Sequence, residues 1–440
     1  MGRWWIIIAA GALVAGLAAC TSIPQGYVAH ESPVSGQADR TVQVATLPPP
    51  IENAAASNRL LVLGDDGNIY IVRPDGGERR ALSSDAGPAH LYRQPTWSPL
   101  GDRVAWVEAT SDGNGVKSSS LHIRRTDGSG DIQVATTAPA FYLFWSPDGN
   151  RLASLANGSQ GLDLALFDPS NGGNPIRVLD QGAPLYFSWA PDGRRLLTHV
   201  GSDHLGLLAL DGTQSALASQ PAGFAAPRWG PDGASLVYAI VADGEQRLVL
   251  ADLKGVAQRN LASFKGNLSF GLRPDGQQVA YVDTVLPAPT AAFGPLSLTG
   301  VASGPVQQIS EGPVLAFFWS PDGNYLLYLV LDQTGAPPNA LKVSFRVQQD
   351  QPIWTSWHVW DGQRSVSFGR FVPSQTMLLE YLRFFDQYAQ SMTLWAPDSS
   401  AFTYAGASAS GEDGIWVQPR AEAAAAVRVG SGVMATWSPR

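Results

Sequence analysis

The chain has 440 residues, of which 15% are charged, and its formal net charge at pH 7 is −8. This charge is modest and no run of Lys or Arg occurs, so the sequence argues against a nucleic-acid ligand. The 46 Gly and 32 Pro residues favour many short strands joined by tight turns. We therefore expect a monomeric, all-β protein that binds no nucleic acid.

The N-terminus is typical of a secretory signal. Arg3 precedes an apolar run from Trp4 to Ala19, which is shorter than the roughly 20 residues of a membrane-spanning helix. The run ends in Leu-Ala-Ala followed by Cys20, the only cysteine of the chain. This ending resembles the bacterial lipobox, whose cysteine is lipidated and becomes the first residue of the mature protein. An ordinary signal peptide and an uncleaved anchor are the alternatives.

Residues 1–19 are therefore predicted to be a lipoprotein signal peptide, and Cys20 the lipidation site. Residues 20–57 are rich in Pro, Ser and Ala and show no apolar period, which predicts a flexible tether. We expect the lipid to anchor residues 58–440 to the outer face of the cell membrane, or facing the periplasm in a host with two membranes.

A short phrase based on Trp-Ser-Pro-Asp-Gly recurs along residues 58–440. Its eight copies start at Trp97, Trp145, Trp189, Trp229, Leu272, Trp319, Trp395 and Trp437. The steps between starts are 48, 44, 40, 43, 47, 76 and 42 residues. A period of about 40–50 residues in an all-β pattern is typical of propeller blades. The Pro, Asp and Gly of each copy suit a tight turn, and we interpret the repeated Asp residues as turn formers.

Each repeat is predicted to form a four-stranded blade, with its Trp packed between neighbouring blades. Residues 59–82 supply three strands without a preceding Trp strand, and residues 433–440 supply one strand with nothing after it. Their pairing would complete a blade and close the ring. We expect eight four-stranded blades, with seven as the alternative.

The phrase and the strands that follow it resemble the TolB-type propeller, a relative of the WD-repeat class, over about residues 58–440. The resemblance implies a propeller fold and leaves the function open, because such blades serve many roles. TolB carries an α/β domain before its propeller, and this chain has the predicted tether there instead. A role in the Tol system is therefore not transferred.

The 76-residue step contains an insertion at 371–393, with a helix predicted near 373–391. Ser374 suits an N-cap, and apolar residues recur three and four positions apart after it. The insertion either packs onto the rim or into the central channel, or it recognises a partner. The candidate partner-binding residues are Leu378, Tyr381, Leu382, Phe384, Phe385 and Tyr388, together with Trp354, Trp357 and Trp360 on an aromatic strand before the helix.

The sequence lacks the motifs of several catalytic classes, including the Gly-x-Ser-x-Gly elbow, the Walker loop and the dinucleotide fingerprint. Among the six His residues only His199 and His204 are close in sequence, so no metal or cofactor is predicted. We expect a scaffold or protein-binding module of the bacterial cell envelope. One alternative is a propeller enzyme that acts on glycans or peptides through carboxylates at the channel. Another is a small-molecule receptor whose pocket is lined by Trp354, Trp357 and Trp360.

Overall fold

The computed structural model describes residues 57–112, 115–169, 177–201, 204–218, 220–223, 225–284, 294–310, 312–332 and 352–440. The predicted signal peptide, Cys20 and nearly all of the predicted tether lie outside these residues. Within the described ranges, no helix has the length and apolar character needed to cross a membrane.

The described chain is all-β, as predicted, and contains six antiparallel sheets of four strands each. Five of them follow the repeats in chain order. Their strands are β4 (His90–Trp97), β5 (Arg103–Ser111), β6 (Val116–Arg125) and β7 (Asp131–Thr136); β8 (Ala140–Trp145), β9 (Leu152–Gly158), β10 (Gly161–Phe167) and β11 (Arg177–Gly182); β12 (Leu185–Trp189), β13 (Arg195–Val200), β14 (His204–Ala209) and β15 (Gln214–Ala218); β16 (Arg228–Trp229), β17 (Ser235–Ala242), β18 (Glu245–Asp252) and β19 (Ala257–Phe264); and β20 (Asn267–Leu272), β21 (Gln278–Thr284), β22 (Leu296–Gly300) and β23 (Gln307–Gln308).

The sixth four-stranded sheet joins strands from opposite ends of the chain. It contains β1 (Leu60–Leu63), β2 (Ile69–Val72), β3 (Arg80–Ala81) and β31 (Met434–Trp437). In this sheet β31 pairs antiparallel with β1, from Leu60 opposite Trp437 to Leu63 opposite Met434. The predicted pairing between the terminal strands is confirmed.

The turns of the repeats form as their residue types predict. In the first complete copy, the Oδ1 atom of Asp148 accepts the backbone N–H of Asn150 at 3.0 Å, and Gly149 has a φ of 70°. The Asp residues of the other copies accept the N–H two positions later in the same way, at 2.9–3.0 Å. In the copy that begins at Trp395, Ser399 replaces Gly and still has a φ of 60°.

The motif tryptophans join neighbouring repeats through their indole N–H groups. The indoles of Trp189, Trp319 and Trp395 donate to the carbonyl oxygens of Phe144, Gly271 and Phe318, at 3.1, 3.2 and 3.0 Å. The indole of Trp97 reaches the carbonyl oxygen of Thr436 at 3.4 Å. In each case the acceptor immediately precedes the motif position of the previous repeat. These rings therefore pack between sheets, as predicted.

The remaining sheet has seven strands and covers two repeats. Its strands are β24 (Val314–Trp319), β25 (Leu326–Leu331), β26 (Thr355–Trp360), β27 (Ser365–Pro373), β28 (Ala401–Ser408), β29 (Asp413–Pro419) and β30 (Val427–Gly430). Strand β27 joins the two halves through three residue pairs with β28. The second half has three strands, because the chain before Trp395 forms a helical segment where other repeats have their first strand.

The predicted helix is confirmed in position, but a regular α-helix is wrong. A π-helical turn spans Met377–Tyr381, a 3₁₀ turn Leu382–Phe384, and an α-helical turn Phe385–Tyr388. We call residues 375–388 the helical segment. It packs against several sheets at once, and we attribute the changing pitch to these tertiary contacts, which override local propensity.

Candidate functional site

The helical segment begins at a side-chain cap. The Oγ atom of Ser374 accepts the N–H of Met377 at 3.0 Å, and the carbonyl of Ser374 accepts the N–H of Leu378 at 2.9 Å. The Ser374 N–H in turn donates to the carbonyl of Ala405 on β28 at 3.0 Å. The predicted N-cap is confirmed, and it fixes the start of the segment to the seven-stranded sheet.

Aromatic rings hold the segment among the first strands of several sheets. The ring of Phe385 lies 4.8 Å from that of Phe317 on β24, measured between centroids. The ring of Tyr388 lies 4.9 Å from that of Tyr142 on β8, and its hydroxyl donates to the carbonyl of Phe141 at 2.6 Å. Both rings of the segment are buried. The segment thus contacts strands that are far apart in sequence.

Gln387 binds the backbone of another sheet much as a neighbouring strand would. Its Oε1 accepts the N–H of Phe187 on β12 at 3.1 Å, and its Nε2 donates to the Phe187 carbonyl at 2.8 Å. Its Nε2 also donates to the hydroxyl of Tyr142 at 3.0 Å, and that hydroxyl donates to the Gln387 carbonyl at 3.0 Å. These groups are buried, and Gln387 supplies most of the hydrogen bonds that they need; Gln390 also donates to the Phe187 carbonyl, at 3.3 Å.

A basic and an acidic residue lie near each other at the end of the segment, and the arginine contacts the backbone of the aspartate. Arg228 on β16 donates through Nη2 to the carbonyl oxygens of Asp386 and Phe270. The carboxyl of Asp386 accepts the N–H groups of Ala226 and Gln387, at 3.4 and 3.0 Å. Burial raises the pKa of Asp386, although the charge of Arg228 opposes this. Burial also lowers the pKa of Arg228 to about 10, which leaves the guanidinium charged at neutral pH.

Two cavities of about 240 Å³ each are lined in part by residues 389–393, where the chain leaves the helical segment. We name them by a lining residue. The Arg228 cavity is lined by Arg228, Leu272, Phe317, Phe318, Trp319 and Phe385, among others. The Trp97 cavity is lined by Trp97, Phe144, Trp145, Gln390 and Trp437, among others. Ala389, Met392 and Thr393 line both cavities.

Most of the predicted partner-binding residues lie in the core. The structure buries Tyr381, Leu382, Phe385, Tyr388, Trp357 and Trp360 and leaves Leu378, Phe384 and Trp354 half-buried. An exposed face formed by all nine is therefore wrong, because the protein itself already covers six of them. Their position favours packing into the centre of the sheets over recognition. Leu379, which the sequence pattern did not single out, is 48% exposed.

Two of the tryptophans before the helix pack against other side chains of the described residues. The ring of Trp357 packs against Phe318, Phe371 and Phe402, with centroids 5.8–6.3 Å apart. The guanidinium of Arg370 lies over the ring of Trp354, 4.3 Å from its centroid. These rings stabilise the seven-stranded sheet, and neither cavity beside residues 389–393 is lined by them.

The β4–β7 sheet carries a cluster of titratable side chains that the spacing of residues in the sequence did not predict. Glu108 on β5 lies between two strands that carry histidines: its Oε1 is 3.2 Å from Nδ1 of His90, and its Oε2 is 2.8 Å from Nε2 of His122. Nδ1 of His122 lies 3.4 Å from Asp131. Burial lowers the pKa of His122, but its hydrogen bonds to Asp131 and Glu108 outweigh this, and the pKa is raised. Strand pairing brings these residues together from positions far apart in sequence.

Metal-binding constellations are not found among the described residues, where no group of three His, Cys, Asp or Glu side chains could hold an ion. His204 contacts Asp180 at 3.0 Å, whereas the ring of the buried His199 lies 3.1 Å from the carbonyl of Ala225. The two histidines that are close in sequence therefore face different neighbours.

Comparisons with known proteins concern the fold. No protein-family model matches the chain, and no curated protein matches it significantly. A crystal structure of a eukaryotic initiation factor is similar over 88% of this chain and 99% of its own, with 12% identity and a TM-score of 0.54. TolB from Acinetobacter baumannii and an oligogalacturonate lyase in complex with manganese have identities of 17% and 13% and TM-scores of 0.33 and 0.44. They match 57% and 68% of this chain and 65% and 81% of their own. At 12% identity, the likeness to the initiation factor concerns the fold alone.

Proposed function

We propose that the chain forms an eight-bladed propeller of the TolB type, closed by β1 and β31, with the helical segment in its central channel. A contact at every step between consecutive repeats supports this count. The four indole bonds account for four steps. The other four are the contacts of Arg103 with the carbonyl of Gly149, of Arg195 with the ring of Trp229, of Arg228 with the carbonyl of Phe270, and of the Trp437 N–H with the carbonyl of Thr393.

We propose that this propeller is a protein-binding module of the bacterial cell envelope. The observation that carries the proposal is a set of apolar side chains that remain accessible on a rigidly held segment. Leu379 is 48% exposed, and Leu378 and Phe384 of the same segment are half-buried. Rigid apolar side chains presented on a fixed scaffold are typical anchors of protein interfaces.

Two strands near the helical segment also carry exposed apolar side chains. Leu91 and Phe141, near the starts of β4 and β8, are 36% and 38% exposed. The charge of Arg93 on β4 acts on Glu380 of the helical segment, which places the two elements near each other. We call Leu91, Phe141, Leu378, Leu379 and Phe384 the apolar end. A partner surface of complementary apolar character would cover it.

The central carboxyl favours this binding role over catalysis. Asp386 is the most deeply buried acidic residue of the helical segment, and backbone N–H groups donate to both of its carboxyl oxygens. A catalytic carboxylate needs an oxygen that can reach a substrate. The proposal therefore assigns Asp386 to the framework of the protein.

Attachment to the membrane through Cys20 remains part of the proposal. It rests on the apolar run that ends in Leu-Ala-Ala-Cys and on the Pro-rich residues that follow. A Cys20→Ala variant of the full chain should lose metabolic labelling by a fatty acid and move from the membrane to the soluble fraction. Unchanged labelling and fractionation would contradict the anchor.

Partner binding is tested by single substitutions in the full chain, because removal of 371–393 would also remove core residues. Leu379→Arg places a charge in the apolar end, and Val256→Arg places one at a 55% exposed valine on another part of the surface. Affinity capture from solubilised membranes should enrich one or more envelope proteins with the wild type and with Val256→Arg. Leu379→Arg should reduce that enrichment at least tenfold, and equal capture by all three proteins would contradict the apolar end as the binding surface.

A further inference from the structure

Two residues that break the repeat pattern meet in the same cavity. The position before the motif residue holds Thr96, Phe144, Ser188, Arg228, Gly271, Phe318, Leu394 and Thr436, so Arg228 is its only charged member. The motif position itself is Trp in seven copies and Leu at 272. Arg228 and Leu272 belong to consecutive repeats, and both line the Arg228 cavity. At this cavity, a leucine replaces the motif tryptophan of one repeat, and an arginine precedes the motif position of the repeat before it. No other repeat has either of these residues there.

We propose that the Arg228 cavity is a binding site for a small organic acid, a monocarboxylate with an aromatic or branched apolar body.

The carboxylate is inferred from the hydrogen-bonding groups that the arginine leaves unused. Among the described residues Arg228 forms no ion pair within 4 Å; the carboxyl of Asp386 acts on its charge without direct contact, and the Asp386 atom that Arg228 contacts is the backbone carbonyl oxygen. Its Nε is buried away from the cavity, and both hydrogen bonds of the guanidinium to the described residues use Nη2, so the N–H groups of Nη1 are left for a ligand. Its Nη2 is held by the carbonyls of Asp386 and Phe270, which fixes the plane of the group. A cation in dry surroundings is stabilised when an anion accepts its unused N–H groups, and a planar carboxylate matches guanidinium best.

The apolar body is inferred from the walls and the volume. Phe317, Phe318, Trp319 and Phe385 line the cavity around the arginine. An apolar cavity of about 150 Å³ is enough to bind benzene. The Arg228 cavity, at about 240 Å³, therefore has room for one ring or a branched chain together with a carboxylate. No Asp or Glu is among its lining residues, so nothing in the wall repels an anion.

The Trp97 cavity provides an internal comparison. It has the same volume and shares Ala389, Met392 and Thr393 with the Arg228 cavity, but no Arg, Lys or His lines it. All three motif residues that line it, at 97, 145 and 437, are Trp. The same physical argument therefore assigns the organic acid to the Arg228 cavity and not to the Trp97 cavity.

Isothermal titration of the full chain with benzoate, 3-phenylpropionate and isovalerate tests the site. At least one of these acids should bind, and the amide of that acid should bind at least tenfold more weakly, because it lacks the charge. Arg228→Gln should weaken binding of the acid at least tenfold. Leu272→Trp restores the repeat residue and fills the cavity, and we expect it to abolish binding.

Circular dichroism and thermal unfolding check that each variant folds. If Arg228→Gln does not fold, the comparison of acid with amide and the Leu272→Trp variant still decide the question. Three results would each overturn the site: binding of none of the three acids, equal binding of acid and amide, or unchanged binding by folded Leu272→Trp. The Leu379→Arg variant should bind the acid like the wild type, so failure of the proposed protein partner and failure of this site can be distinguished.

Discussion

The β12–β15 sheet and the centre of the molecule satisfy their polar groups in different ways. In the sheet, Asp192 accepts an N–H only two residues further on, and the indole of Trp189 bonds to the repeat immediately before it. In the centre, Gln387 bonds to Phe187, 200 residues away, and Arg228 bonds to the backbone of Asp386, 158 residues away. The outer framework is therefore encoded repeat by repeat, whereas the centre depends on contacts between distant parts of the chain.

Removal of the side-chain amide of Gln387 tests this difference with the largest expected change in the free energy of unfolding. Gln387→Ala leaves the buried N–H of Phe187 without its partner, and a buried unsatisfied group costs about 1–3 kcal/mol. It also removes one hydrogen bond from the Phe187 carbonyl, which Gln390 still contacts, and one from the Tyr142 hydroxyl, which still donates to the backbone carbonyl of residue 387. We expect the free energy of unfolding to fall by about 2–4 kcal/mol, measured by urea titration with circular dichroism. Gln375→Ala, at an exposed position of the same segment, should change it by less than about 0.5 kcal/mol. Similar effects of the two variants would show that the centre does not depend on this amide.

The second test compares two motif tryptophans of the framework. Trp189→Phe removes the indole bond to the carbonyl of Phe144, whereas the buried indole N–H of Trp229 has no partner in the described structure. Both substitutions remove similar volume from buried positions. Trp189→Phe should therefore cost about 1–2 kcal/mol more in free energy of unfolding than Trp229→Phe. Equal losses would mean that the rings act through packing alone.

The third and smallest effect concerns the cluster around Glu108. Because the pKa of His122 is raised above 6.5, its protonated form is stabilised by folding. That contribution is complete below about pH 6.5, the usual histidine value, and is lost as the pH rises through the pKa of the folded protein. A titration of the imidazole signals by NMR should place His122 above 6.5, with His122→Gln used to assign the signal.

The charged groups facing His122 provide the control for this titration. Glu108 and Asp131 contact its ring nitrogens, Arg124 pairs with Asp131 at 2.9 Å, and His90 shares Glu108. In Glu108→Gln the pKa of His122 should fall, and the loss of stability with rising pH should become smaller. A pKa at or below 6.5 in the wild type would contradict the assigned role of the two carboxylates.

The sequence predicts the framework well because its signals are local. The Asp and Gly of each copy determine a turn within a few residues, so the strands on both sides can be placed from the pattern alone. The pairing of β1 with β31 is also predictable, because each end of the chain contains an incomplete blade. The amphipathic period after Ser374 likewise locates the helical segment.

The central contacts could not be predicted from the same pattern. An amphipathic period shows that Tyr381 and Phe385 need an apolar neighbour, but it does not distinguish the core of this chain from the surface of a partner. The helical pitch of the segment depends on its contacts with strands from several repeats. The pairing of His122 with Glu108 depends on the register between β5 and β6, which spacing in the sequence does not reveal. Arg228 and Leu272 were visible as exceptions to the repeat, although only the fold shows that they share a cavity.

The pairing of β1 with β31 has a consequence for biosynthesis. Residues 59 and 438, which are 379 positions apart, are joined by a hydrogen bond at this sheet. During synthesis one edge of β1 therefore stays unpaired until nearly all of the remaining chain has emerged. An unpaired edge can accept a strand from another molecule, so this interval favours exchange of β31 between copies. A nascent chain that stalls before Met434 would keep that edge open and become a target for chaperones and proteases.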